Sequence, residues 1–223
     1  MGTQTNKHSW VNGLLALLII AIPPVYTAWI YQSLPEQIPT HFNIDGAPDQ
    51  WGHRSSIWTL VSILGVVSLG VYLLVRFLPN IDPKKTAGTP AWAFQQIALV
   101  VVVFLSIISV MLVHGTAAGM VNIQNWIFPL MGLFFATLGF YMARIGPNYF
   151  VGFRLPWTLE DPENWKATHR LVGQLWVPGG ILVALITWWL PFTPALIVFL
   201  SFVTIMTIVP VIFSYQLYRK SKS

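Results

Sequence analysis

The chain has 223 residues, of which 55% are hydrophobic and only 9% charged, a formal net charge of +5, and no cysteine. A soluble domain carries about 25% charged residues, so this composition excludes a globule covered by water, and the missing cysteine excludes disulfides, thiolate nucleophiles and thiolate metal sites. The basic balance does not indicate direct nucleic-acid binding, because the Lys and Arg residues are scattered in short connections and at helix ends, where membrane topology and lipid headgroups account for them.

The first residues, MGTQTNKHSW, place a single Lys ahead of a long apolar run. That run continues through Pro23 and Pro24 to Trp29 and Tyr31. It is too long for the ~7–15 apolar residues of a cleaved signal, and reads as a retained first span. Further runs follow, so that spans are expected at 10–31, 57–78, 93–113, 123–143, 171–190 and 194–216. Each matches the ~20 residues that a helix needs to cross ~30 Å of hydrocarbon. Trp10, Trp29, Tyr31, Trp58, Trp92, Trp126, Trp176, Trp188 and Trp189 fall near the ends of these runs, where an interfacial aromatic belt places them. Threading the six spans alternately puts Lys7, Arg76, Lys84, Lys85, Arg144, Arg154, Lys166, Arg170, Arg219, Lys220 and Lys222 on one side and only Arg54 on the other. Basic residues stay cytoplasmic, so both termini are expected inside, in an inner (cytoplasmic) membrane. The expected fold is all-α and integral to the membrane, with six transmembrane helices.

Between the first two spans lies QSLPEQIPTHFNIDGAPDQWGHRS, residues 32–55, on the outside. Pro35, Pro39, Gly46, Pro48 and Gly52 forbid a continuous helix there. A loop is expected instead, held by prolines and Asx-type turns and presenting Phe42 and Trp51 to the mouth of the helices. His41, Asp45, Asp49 and His53 recur every four residues, and such ligands suit zinc or a similar ion. This is a weak candidate metal set, since Gly46 and Pro48 oppose the helix that would align it. The second connection, 79–92, is a plain inside linker. His114, near the end of the third span, reads as an interfacial histidine.

The connection over 144–170, RIGPNYFVGFRLPWTLEDPENWKATHR, is the second polar region and lies inside. Asp161 is placed to cap a helix that begins at Pro162 and runs through Trp165 and His169 toward the fifth span, with Glu163 complementing its dipole. Arg154 sits between Phe153 and Leu155 and is expected to find a carboxylate in Glu160, Asp161 or Glu163. Arg154, Trp165 and His169 form a candidate pocket. Farther on, Pro178-Gly179-Gly180 is expected to bend or break the fifth span, and Pro129 and Pro210 to do the same in the fourth and sixth.

Pro48-Asp49-Gln50-Trp51 outside and Pro162-Glu163-Asn164-Trp165 inside share the order Pro, acid, amide, Trp, and each leads into a His-Arg pair. Falling about half a chain apart, they raise a 3+3 inverted repeat, an arrangement known from transporters. The middles of the spans contain no Asp, Glu, Lys or Arg, which disfavours ion-coupled transport. No phosphate loop, serine elbow or HExxH string is present, so no enzyme and no cofactor is indicated.

Asn148, Gly152, Arg154, Pro156, Trp157, Thr158, Leu159, Trp165, Thr168, His169 and Arg170 together resemble the motif of the SdpI family of bacterial membrane proteins. Pro35, Pro39, His41, Phe42, Gly46, Asp49 and Trp51 resemble the domain of unknown function often fused ahead of it. The resemblance divides the chain into an N-terminal membrane region, 1–92, and an SdpI-like region, 93–223. It implies an immunity and signal-transduction protein, not an enzyme. Such a protein would recognise a secreted toxic peptide at His41, Phe42, Asp45, Gly46, Asp49, Trp51 and His53, and could hold a small transcriptional repressor at the membrane. The charge balance is compatible: Glu36, Asp45 and Asp49 face a single Arg54 outside, which favours a basic ligand. A small transporter working between inverted halves and a metal-dependent membrane enzyme are the alternatives.

Overall fold

The computed structural model describes residues 4–43, 47–83, 91–118 and 124–222. Helices dominate: α1 (Gln4–Ile30), α2 (Ser56–Ile81), α3 (Ala91–Ala118), α4 (Gln124–Met142), α5 (Pro156–Glu160), α6 (Pro162–Thr187) and α7 (Phe192–Lys222). A 3₁₀ turn (Tyr31–Ser33) and two strands, β1 (Gln37–Phe42) and β2 (Pro48–His53), fill the connection after α1. Among the described residues, α1, α2, α3, α6 and α7 are long and apolar enough to cross a membrane, and α4 supplies a shorter apolar stretch, Trp126–Met142. Each expected span therefore falls on a helix, and the chain is an all-α multi-pass membrane protein apart from its small hairpin. The chain divides into two compact units, Met1–Leu74 with Ala98–Ile127, and Val75–Ile97 with Phe128–Ser223.

In the first unit, Pro23 and Pro24 lie inside α1. Proline has no N–H, so Pro23 cannot bond the carbonyl of Ile19 one turn earlier. The Ser106 hydroxyl of α3 donates to that carbonyl at 3.2 Å. A neighbouring helix thus satisfies what the proline frees, as it must where no water reaches. Leu34, Ile38, Ile57, Val61 and Val113 form a buried cluster flanked by Tyr26, Ile30, Tyr31 and Trp58. Ile38 belongs to β1, so this cluster seats the hairpin on the ends of α1, α2 and α3.

The same device recurs in the second unit. Pro210 leaves the Met206 carbonyl of α7 without its helical donor. The indole Nε1 of Trp176 on α6 donates to it at 3.1 Å. α4 and α6 meet through small residues: a methyl on Gly180 would lie 2.4 Å from the Gly132 carbonyl oxygen, and one on Gly139 would lie 2.6 Å from Trp176 Cβ. Such close approach is how membrane helices gain dispersion contact without a hydrophobic drive. The signal was present as Gly132-x₃-Ala136 and Gly180-x₃-Ala184, spacings the sequence reading did not use.

No break occurs in α6 at Pro178-Gly179-Gly180, and α4 and α7 likewise run through Pro129 and Pro210. At Pro210 the freed carbonyl has a side-chain donor, and at Gly180 the glycine serves close packing. The two similar four-residue strings also adopt different structures: Pro48–Trp51 lies in β2, whereas Pro162–Trp165 forms the first turn of α6.

Candidate functional site

Two polar regions carry the candidate residues. The first is the hairpin. β1 and β2 pair antiparallel, Ile38 opposite Gly52 and Pro39 opposite Trp51, with an irregularity between Pro39 and Phe42. The prolines that forbid a helix tolerate this short, two-stranded ribbon because both strands have a free edge. Asn43 closes it: its N–H donates to the Ala47 carbonyl at 2.9 Å, and its side-chain oxygen accepts from the Ala47 N–H at 3.0 Å. Gly52 is required by crowding, since a Cβ there would lie 2.8 Å from Thr40 Cγ2.

Phe42 lines a half-open cavity of about 460 Å³ with Ile38, Ile57, Leu60, Ile63 and Leu112. Trp51, by contrast, is 58% exposed and is not turned onto the helices as expected. His41 Nδ1 and Asp49 Oδ1 lie 2.6 Å apart at the surface. His53 is held by Ser55 instead, its Nδ1 accepting from the Ser55 N–H at 3.2 Å. The hairpin therefore joins His41 with Asp49 and leaves His53 apart. Among the described residues no group of three metal-type ligands converges. Asp45 and Gly46 lie outside the described residues.

The second region is the connection from α4 to α6, built almost wholly on backbone capture. Asn148 is fully buried, and its oxygen accepts from the N–H groups of Phe150 and Val151 at 2.9 and 2.7 Å. Its amide donates to the carbonyls of Gly146 and Val151 at 3.0 Å each. One side chain thus satisfies four backbone groups and closes the turn. Gly152 follows with φ +108°, a conformation that L residues rarely adopt. A Cβ on it would come 2.3 Å from His169 Nε2.

His169 explains that crowding. It is 1% exposed and stacks on Trp165 with 4.0 Å between ring centroids. Its Nδ1 donates to the Trp165 carbonyl at 2.8 Å, and its Nε2 accepts from the Phe153 N–H at 3.0 Å. Using one nitrogen as donor and the other as acceptor requires the neutral ring. The Trp165 indole donates to the Ile145 carbonyl at 2.7 Å. Both residues therefore support the turn from within the protein and do not line an opening.

Farther along, Thr158 Oγ1 accepts from the Leu155 N–H at 3.0 Å and donates to the Phe153 carbonyl at 2.6 Å, with Pro156 at the first position of α5. Asp161 caps α6 as expected, accepting from Glu163 and Asn164 N–H at 2.9 and 3.2 Å. α5 and α6 are tied to α7 at a residue the sequence reading missed, Ser214. Trp157 Nε1 donates to its hydroxyl at 3.0 Å, and Asn164 Nδ2 to its carbonyl at 2.9 Å. Thr168 in turn donates to Asn164 Oδ1 at 3.1 Å. Ser214 carries little sequence signal beyond being a small polar residue amid apolar ones, one turn after Pro210.

Arg154 departs from expectation. Its guanidinium donates to the Tyr149 carbonyl at 2.9 Å and takes none of Glu160, Asp161 or Glu163 as an ion-pair partner. The short backbone loop that Asn148 closes brings that carbonyl within reach, while Asp161 is committed to its cap. Arg154, Lys166 and Arg170 are exposed. Arg154 borders a half-open groove of about 380 Å³ lined by Leu138, Met142, Gly152, Phe153, Trp176 and Thr207.

These two regions coincide with what known proteins share. Residues 144–214 match the SdpI/YfhL protein family, and residues 18–65 match Domain of unknown function (DUF1648). The chain is 24% identical over 215 residues to "Immunity protein SdpI" of Bacillus subtilis (strain 168), covering 94% of this chain and 97% of that protein. It is also 31% identical over 74 residues to an uncharacterized protein of Archaeoglobus fulgidus, covering 33% of this chain and 39% of that protein. No solved structure matches the chain. The capped α6, the Asn148–Gly152 turn and the His169 support all lie inside residues 144–214, the segment of this membrane protein that is similar to the SdpI/YfhL family.

Proposed function

We propose that this chain is a membrane immunity protein that recognises a membrane-active toxic peptide through its β1–β2 hairpin. The observation that carries the reading is the similarity, along nearly the whole of both chains, to a protein whose name is immunity protein. The hairpin fits the role because it projects exposed, acidic and aromatic side chains. Trp51, His41 and Asp49 stand at the surface, and Phe42 lines a cavity of mixed apolar and hydroxyl side chains. On this reading 1–92 carries recognition and 93–223 carries the Asn148–Arg154 turn. Both termini are cytoplasmic, since one side collects eleven of the twelve basic residues. That basic end would hold an acidic cytoplasmic partner such as a transcriptional repressor.

The test is protection of a sensitive bacterium challenged with the toxic peptide. Trp51→Ala and Asp45→Ala should each lower protection at unchanged protein level. Full protection by both variants would end the proposal. The transport alternative loses ground, because around Gly180 the helices α4 and α6 pack backbone to backbone. The metal-enzyme alternative has only the His41–Asp49 pair in contact among the described residues.

A further inference from the structure

We propose that the groove beneath the Gly152–Arg154 turn binds an anionic phospholipid, with an acyl chain against Leu138, Met142, Phe153 and Trp176 and its phosphate on Arg154. The groove's volume of about 380 Å³ falls within the ~300–1,000 Å³ of ligand pockets. Its lining is apolar except at Thr207 and Arg154. Thr207 turns its hydroxyl back to the Val203 carbonyl of its own helix at 2.8 Å, so it asks nothing of an occupant. One charged group therefore remains, at the edge of an apolar slot.

That charge is poised for an anion. Arg154 uses one N–H on the Tyr149 carbonyl, and a guanidinium has five. It has no carboxylate within ion-pair range among the described residues. The Tyr149 contact fixes the fork in place, and a fixed fork suits bidentate phosphate recognition. Gly152, held at positive φ, and Phe153, bonded to His169, fix the backbone on either side. Arg154 is thus presented by a rigid turn.

The surroundings indicate a lipid and not a soluble anion. Tyr149 and Phe150 are exposed beside the groove, as interfacial aromatics are. Arg144 donates to the Phe140 carbonyl at the end of α4, and its guanidinium lies over the Phe140 ring, which puts a second cation at the same end of the helix. A basic residue at the mouth of an apolar slot between membrane helices is the general chemistry of headgroup binding.

The experiment is native mass spectrometry of the full chain released from neutral detergent with equimolar phosphatidylglycerol and phosphatidylcholine. The wild type should retain phosphatidylglycerol preferentially. Arg154→Gln should lower that preference roughly threefold to tenfold, the worth of one cation at a headgroup. Arg154→Lys, which keeps the charge but loses the fork, should keep only part of it. Leu138→Trp, which fills the slot, should lower retention of both lipids. Lys166→Gln, an exposed cation that does not line the groove, should leave the preference unchanged. Unchanged preference in Arg154→Gln, or an equal loss in Lys166→Gln, overturns the proposal, as does displacement of the lipid by free phosphate. If Arg154→Gln does not fold, wild-type lipid retention by Leu138→Trp overturns it instead.

Discussion

Gly152→Ala probes the most crowded point of the Asn148–Arg154 turn. The substitution has two separable costs. A residue with a Cβ held at φ +108° is strained by about 1–3 kcal/mol. The new methyl would also lie 2.3 Å from His169 Nε2, a distance that bonded neighbours alone can reach. His169 cannot retreat freely, because it is stacked on Trp165 and tied to that residue's carbonyl. It must give up the Phe153 N–H, leaving buried polar atoms unpaired at about 1–3 kcal/mol. The total is about 2–6 kcal/mol. Reversible unfolding in mixed micelles should show it, with a fall in Tm of order 10 °C.

A double-mutant cycle with His169→Ala separates the costs. Removing the ring removes the clash and leaves only the backbone strain. The double variant should then be less destabilised than the sum of the single ones by about 1–3 kcal/mol. Strict additivity, or a Gly152→Ala cost under about 0.5 kcal/mol, would refute the account of the turn.

Further outcomes are expected elsewhere in the chain. Trp176→Phe keeps an aromatic body but orphans the Met206 carbonyl, and Ser106→Ala orphans that of Ile19; each should cost about 1–3 kcal/mol in the same unfolding assay. Gly180→Val drives a side chain into the Gly132 backbone and should destabilise by at least about 2 kcal/mol, visible as loss of the monodisperse peak in detergent chromatography. Asp49→Asn removes one side of a largely exposed pair and should change stability by less than about 1 kcal/mol, so any loss of protection it causes reports on recognition. Because the chain has no cysteine, Gln50→Cys and Lys166→Cys can each be labelled cleanly; an impermeant reagent applied to intact cells should reach only the first. Labelling of both from one side would overturn the proposed topology.

The spans were legible because the cost of placing a residue in hydrocarbon adds up along the chain. Length and apolarity sufficed to locate α1 to α4, α6 and α7. The α6 cap was legible for a related reason: Asp161 acts on N–H groups two and three residues away. The 32–55 connection was read as non-helical from its prolines, but its hairpin was not, since strand pairing depends on Ile38 finding a seat among α1, α2 and α3.

Trp165 and His169 stand out in the sequence, but their burial and mutual stacking do not. Only the fold reveals that the Phe153 N–H, sixteen residues upstream, occupies the imidazole. Likewise Pro210 announced a kink, whereas Trp176, thirty residues from Met206, decided how α7 tolerates it. Hydrophobicity and capping are sums or contacts over a few neighbours, and the sequence by itself determined them. The partner of each freed carbonyl, and that of the His169 ring, depend on distances between residues far apart in the chain. Those distances exist only once the helices have packed.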